Sequence, residues 1–124
     1  MTDQEMLQLV DQIRETAFAV HRFFGPGHFE KVYENALVNR LTRAGFELKQ
    51  QVSICVKDED GTVVGEYMAD LVVAKELIIE LKACECLTQA HECQIMGYLR
   101  ATKYRHGLLI NFGSRKFEIK KFIL

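Results

Sequence analysis

Apolar residues at Met6, Val10, Ile13, Ala17, Val20 and Phe24 recur every three or four positions, which predicts an amphipathic helix over roughly residues 3–24. Gly25-Pro26-Gly27 ends that helix, and Val32, Tyr33, Ala36, Leu37 and Leu41 form the apolar face of a second one, running from near His28 to Gly45. The period then drops to two. Phe46 to Lys57 reads as a strand, Asp58-Glu59-Asp60-Gly61 as a hairpin turn, and Thr62 to Val73 as a long second strand. A third strand, Leu77 to Ala83, is separated from the second by the three-residue loop Ala74-Lys75-Glu76. Leu87 to Thr102 is helical in pattern, and Gly107 to Phe112 and Lys116 to Phe122 are two closing strands.

The order α-α-β-β-β-α-β-β predicts an α/β fold, one mixed β-sheet flanked by α-helices. The stretch from Leu77 through the third helix to Gly107 is long enough for a right-handed crossover, so the strands at its two ends should be parallel. At 124 residues, with no linker, internal repeat or low-complexity segment, the chain reads as one domain, 1–124.

One hairpin carries the candidate chemistry. If the second and third strands pair symmetrically about Lys75, Asp70 lies opposite Glu80 and Met68 opposite Lys82, with facing Cα atoms roughly 4.5–5.5 Å apart. Side chains alternate across a sheet, so Asp70, Glu80 and Lys82 share one face and Leu81 points to the other. Like charges directly across a strand pair are destabilising, so something positive must compensate. Lys82 supplies one charge, and a hard divalent cation bound through oxygen would supply the rest. The plainer alternative is a surface hairpin with a solvated Asp-Glu-Lys cluster. On the third helix, His91, Gln94 and Tyr98 lie at i, i+3 and i+7 and form a polar stripe able to touch a phosphate or orient Lys82; an ordinary solvated helix face gives the same pattern. Glu30 and Glu34, one turn apart near the start of the second helix, read on helix statistics alone as charges that complement its dipole.

Composition excludes little: 48% hydrophobic and 27% charged residues are ordinary for a globular domain. The start, Met1-Thr2-Asp3-Gln4-Glu5, lacks a basic segment and an apolar run, so a cytoplasmic protein with reduced cysteines and no membrane association is expected. The net charge of −1 is unevenly spread. From Gly97 onward seven lysines and arginines face Glu118 alone, an excess of six positive charges, and the first 96 residues carry −7. A basic third beside an acidic cluster suits an enzyme acting on a polyanion, although surface charges dispersed for solubility would look the same. Cys84, Cys86, His91 and Cys93 raise the question of zinc, but their spacing fits no common zinc pattern, and His91 and Cys93 diverge by about 200° on a helix.

Several segments in order resemble one family. Gly27-His28-Phe29-Glu30-Lys31-Val32-Tyr33 is similar to the signature of the GxxExxY proteins, a family assigned to the PD-(D/E)XK nuclease superfamily. The resemblance continues through Tyr67-Met68-Ala69-Asp70, Ile79-Glu80-Leu81-Lys82-Ala83, His91 to Leu99 and Gly107 to Gly113, and so covers nearly the whole chain. It implies a restriction-endonuclease-like core in which Asp70, Glu80 and Lys82 match the superfamily's Asp, then Glu-x-Lys pattern. Glu30 matches its early helical glutamate, and Gln94 and Tyr98 match a Gln-x-x-x-Tyr element. Met68 stands where many members have proline. The function implied is metal-dependent hydrolysis of phosphodiester bonds in nucleic acid, with DNA the first expectation. Asp70, Glu80, the Leu81 carbonyl and Glu30 would hold Mg²⁺ or Mn²⁺, Lys82 would act on the attacking water, and His91, Gln94 and Tyr98 would hold the substrate or Lys82. The alternative is a catalytically silent module that keeps the nuclease fold and binds nucleic acid or protein. The apolar stripe of the first helix could serve a homodimer or a protein partner, or cover the chain's own sheet.

Overall fold

A computed structural model describes residues 1–124. Its elements are α1 (Asp3–Phe24), α2 (Glu30–Arg43), β1 (Leu48–Lys57), β2 (Val63–Val73), β3 (Leu77–Lys82), α3 (Gln89–Ala101), β4 (His106–Asn111) and β5 (Glu118–Ile123). The strands form one sheet in the order β1-β2-β3-β4-β5. Every neighbouring pair is antiparallel except β3 and β4, which are parallel and joined by α3. The mixed α/β sheet expected from the pattern is therefore present, with the crossover where its length placed it.

The sheet is covered on both faces. Met6, Leu9, Val10, Ile13, Ala17 and Val20 of α1 and Tyr33, Leu37 and Leu41 of α2 pack with Leu77, Ile79 and Leu81 of β3 and Leu108 and Ile110 of β4. The α1 stripe is thus used by the chain's own sheet, and each of its side chains larger than alanine contributes about 1.5–3 kcal/mol by leaving water. A capping box fixes the start of α1, Thr2 accepting from the Glu5 N–H while the Glu5 carboxylate accepts from the Thr2 N–H. On the other face Ile78 packs with Val72, Ile54, Tyr98 and Leu99. Alternation along β3 puts Glu80 and Lys82 on this α3 side and Leu81 in the α1/α2 core. No helix is long and apolar enough to cross a membrane.

Two features hold the chain at the end of β3. Asn111, wholly buried, accepts from the Cys84 N–H and the Gly113 N–H and donates to the Cys84 carbonyl and to Glu118. Gly113 packs directly on that same turn: a Cβ there would lie 2.3 Å from the Cys84 nitrogen and 2.4 Å from the Ala83 carbonyl carbon. Backbone cannot yield as a flexible side chain does. Gly113→Ala is therefore expected to cost about 2–3 kcal/mol, read as a lower urea midpoint, by pushing away the segment that follows Lys82.

Candidate functional site

The β2–β3 hairpin turns through Ala74 and Lys75, both left-handed with φ 55° and 58°, and the Glu76 N–H donates to the Val73 carbonyl. The register is symmetric about Lys75, pairing Val73 with Leu77, Val72 with Ile78 and Leu71 with Ile79. The ladder stops there. Instead of continuing it, Asp70 donates its backbone N–H to Glu80 Oε1 at 2.9 Å, and Leu81 donates its own to Asp70 Oδ2 at 2.8 Å. Each carboxylate takes a backbone donor of the opposite strand, and the expected pairing of Met68 with Lys82 does not form. Beyond Leu71, β2 follows β1 instead, Met68 pairing with Ser53 and Tyr67 with Ile54. The N–H and C=O of one strand residue point to the same edge, so the Leu81 carbonyl faces the gap that holds Asp70.

The opening gathers more acid than base. Asp70 and Glu80 are buried, and so is Glu34, which accepts from Gln50, Gln51 and Lys31. Gln51 also donates to Asp70 Oδ1 at 3.2 Å, so one amide bridges α2 and β2. It does so from a left-handed backbone, φ 53°, a conformation uncommon for a non-glycine residue. Glu30 stands at the first position of α2, close enough to Asp70 and Lys82 to feel both charges. Its helix is anchored by Tyr33, whose ring stacks on Phe112 at 4.9 Å and whose hydroxyl donates to the Gly25 carbonyl and accepts from the His28 N–H.

Burial first, and then the negative charge of Asp70, pushes the Glu80 carboxyl up to about 8. Burial likewise raises Asp70, against the pull of the Leu81 N–H and Gln51, and burial and the Asp70 charge raise Glu30. Opposite them, the Lys82 ammonium donates to Gln94 Oε1 at 2.8 Å, and the Gln94 amide donates to the Tyr98 hydroxyl at 3.0 Å. Burial and the nearby carboxylates push the Tyr98 phenol up to about 12, so it stays protonated.

Glu30, Asp70, Glu80, Lys82 and Tyr98 thus lie close enough to feel one another's charge, with Gln94 joining Lys82 to Tyr98, while His91 is engaged at the start of α3. Its Nδ1 accepts from the Thr88 N–H while Thr88 Oγ1 accepts from the His91 N–H, so the imidazole serves the start of α3. Glu34 and Gln51, which the sequence pattern did not mark as candidates, are tied to Asp70 through the Gln51 amide. The four-residue spacing of Glu30 and Glu34 was the only signal, and it pointed equally well to dipole charges. The basic C-terminal third does not form one patch either: Lys120 pairs with Glu92, while Lys103 and Arg105 lie at the opposite end of the sheet, near Lys75 and Glu76.

The donor set suits a hard divalent cation: carboxylate oxygens and a backbone carbonyl, with excess negative charge held in a low-dielectric opening. No group of three or more acidic, histidine or cysteine side chains is arranged around a common point, and the Asp70 and Glu80 oxygens accept from backbone N–H groups. Cys84 lies nearby, with its thiol directed to the Cys86 carbonyl, and Cys86 and Cys93 are exposed.

The sequence matches the family model of the PD-(D/E)XK nuclease superfamily over residues 7–122. The fold is similar to that in the crystal structure of SSO0001, with a TM-score of 0.59 and 17% identity over 75% of this chain. The match covers 48% of the SSO0001 chain, so this protein spans about half of that one's length. A comparison with curated proteins found no match.

Proposed function

Since this chain belongs to the PD-(D/E)XK nuclease superfamily, we propose that it is a metal-dependent phosphodiesterase acting on nucleic acid, DNA foremost, in the GxxExxY branch marked by Gly27, Glu30 and Tyr33. The observation that carries this reading is the broken β2–β3 ladder, where Asp70 and Glu80 converge beside a lysine held by Gln94 and Tyr98. Asp70, Glu80 and the Leu81 carbonyl would hold Mg²⁺ or Mn²⁺, with Glu30 reaching in from α2. Bound there, the cation would supply charge neutralisation, an acidified water and stabilisation of charge developing on the scissile phosphate.

The chain's own residues do the rest. Lys82 presents its ammonium to the attacking water and to the phosphate oxygens, and Gln94 holds that ammonium in place through the bond Tyr98 steadies. Gln51 holds Asp70 from β1 and is itself held by Glu34 of α2.

The test is cleavage of linear, nicked, supercoiled and single-stranded DNA, and of RNA, across a series of Mg²⁺ and Mn²⁺ concentrations. The expected result is cutting that requires the cation and stops on chelation. A second reading, a silent module that keeps the fold, is favoured by the carboxylates being satisfied by backbone donors. Binding of nucleic acid without cleavage under any divalent cation would select it.

A further inference from the structure

A cleft opens on the α3 side of the sheet, lined by none of the carboxylates. It has a volume of about 470 Å³, within the range of small-ligand sites, and its walls include Lys57 and Tyr67 from the β1–β2 hairpin and Gly97 and Arg100 from α3. Three observations on it are independent of the catalytic reading. Lys57 and Arg100 bring two cations to its walls, and neither is in a salt bridge. Tyr67 rests one side of its ring against Tyr98, at 5.2 Å between centroids, and leaves 44% of its surface exposed.

The third observation is Gly97. Glycine inside a helix is destabilising relative to alanine, and it is usually retained where a neighbour leaves no room for a side chain. Here a Cβ would meet nothing within 4 Å, so no packing within the protein requires glycine. What a side chain at Gly97 would occupy is the cleft.

We propose that this cleft is a subsite for one unpaired nucleotide of a single-stranded nucleic acid, its base stacked on Tyr67 and its phosphates met by Lys57 and Arg100. The inference rests on the nucleic-acid reading of the neighbouring site and adds a preference for strands with free bases. A base in a duplex is already stacked between its neighbours, whereas a free base gains by lying on an exposed aromatic ring. The bare helix backbone at Gly97 lets the strand approach α3, and the Tyr67–Tyr98 contact places the subsite one aromatic ring away from the Gln94–Lys82 pair.

The experiment is fluorescence anisotropy in chelator, where nothing can be cut, with a short labelled oligothymidylate, an oligouridylate and a blunt DNA duplex of the same length. The full chain should bind the single strands more tightly than the duplex, and the ratio of the two oligomers tells DNA from RNA preference. Tyr67→Ala and Gly97→Leu should each weaken single-strand binding by roughly 5-fold or more. Replacing Lys57 and Arg100 together by alanine should reduce the slope of log affinity against log salt by about 1.4. Gly97→Ala, which adds a methyl group into open space, should melt at a higher temperature in circular dichroism, showing that the position itself tolerates a side chain. Unchanged single-strand affinity in Tyr67→Ala and in the Lys57/Arg100 double variant would overturn the subsite while leaving the nuclease reading intact. A wild-type chain that neither binds any of the three probes nor cuts with Mn²⁺ would overturn both.

Discussion

Glu80→Gln is expected to lower cation-dependent cleavage by about 10³-fold while making the folded chain more stable at pH 8. The two effects have one cause. Glu80 is 3% exposed, beside a second buried carboxylate, and its Oε1 accepts from the Asp70 N–H. Glutamine keeps an acceptor in that place and nearly the same volume, so the hydrogen bond survives and only the charge is lost. A charge that burdens the fold and is required for turnover marks a group retained for chemistry. Glu80→Ala is a poorer probe, since it also strands the buried Asp70 N–H at a cost of about 1–3 kcal/mol. Lys82→Ala should reduce cleavage comparably from the opposite side of the site, with little effect on stability because its ammonium bonds to the exposed Gln94. Cleavage that persisted in Glu80→Gln and Lys82→Ala would mean that the reaction takes place elsewhere.

The second large effect is on stability against pH in the absence of divalent cations. Burial and Asp70 raise the Glu80 carboxyl from 4.5 to about 8. Across that window the folded chain keeps a proton that the unfolded chain releases, so stability must fall as pH rises from 4.5 to 8 and level off above it. The full span is worth on the order of 3–5 kcal/mol. Asp70 and Glu30, raised for the same reason, add to the fall with the same sign. Urea unfolding in chelator at a series of pH values should show this decline in the wild type, and Glu80→Gln should remove most of it. Mn²⁺ at pH 8 should restore the lost stability in the wild type, since a ligand of the folded state alone stabilises it, and should do much less for the variant.

Much of the fold was legible because its elements keep a clean period. The α1 stripe from Met6 to Val20 has no competing strand reading, and the hairpin about Lys75 pairs as its symmetry demanded. The alternation that put Glu80 and Lys82 on one face and Leu81 on the other also holds, because a strand buried on both sides leaves no freedom of register. What could not be read was the point at which the ladder breaks. Pairing Met68 with Lys82 assumed that backbone donors meet backbone acceptors throughout, whereas here two carboxylates take those donors and the strands part. Gln51 and Glu34 were illegible for a related reason. A glutamine in a strand and a glutamate one turn into a helix carry no mark of the left-handed kink at residue 51 that joins them to Asp70. His91 keeps its helical spacing from Gln94 and Tyr98, and its Nδ1 also accepts from the Thr88 N–H, a cap of which the stripe gave no sign.

The most direct test of the centre itself is an anomalous difference map from a crystal soaked in Mn²⁺. A single strong peak within coordination distance of Asp70, Glu80 and the Leu81 carbonyl, with the Lys82 ammonium beside it, is the predicted result. A saturating soak that leaves Asp70 and Glu80 on their backbone N–H partners, with no peak between them, would contradict it.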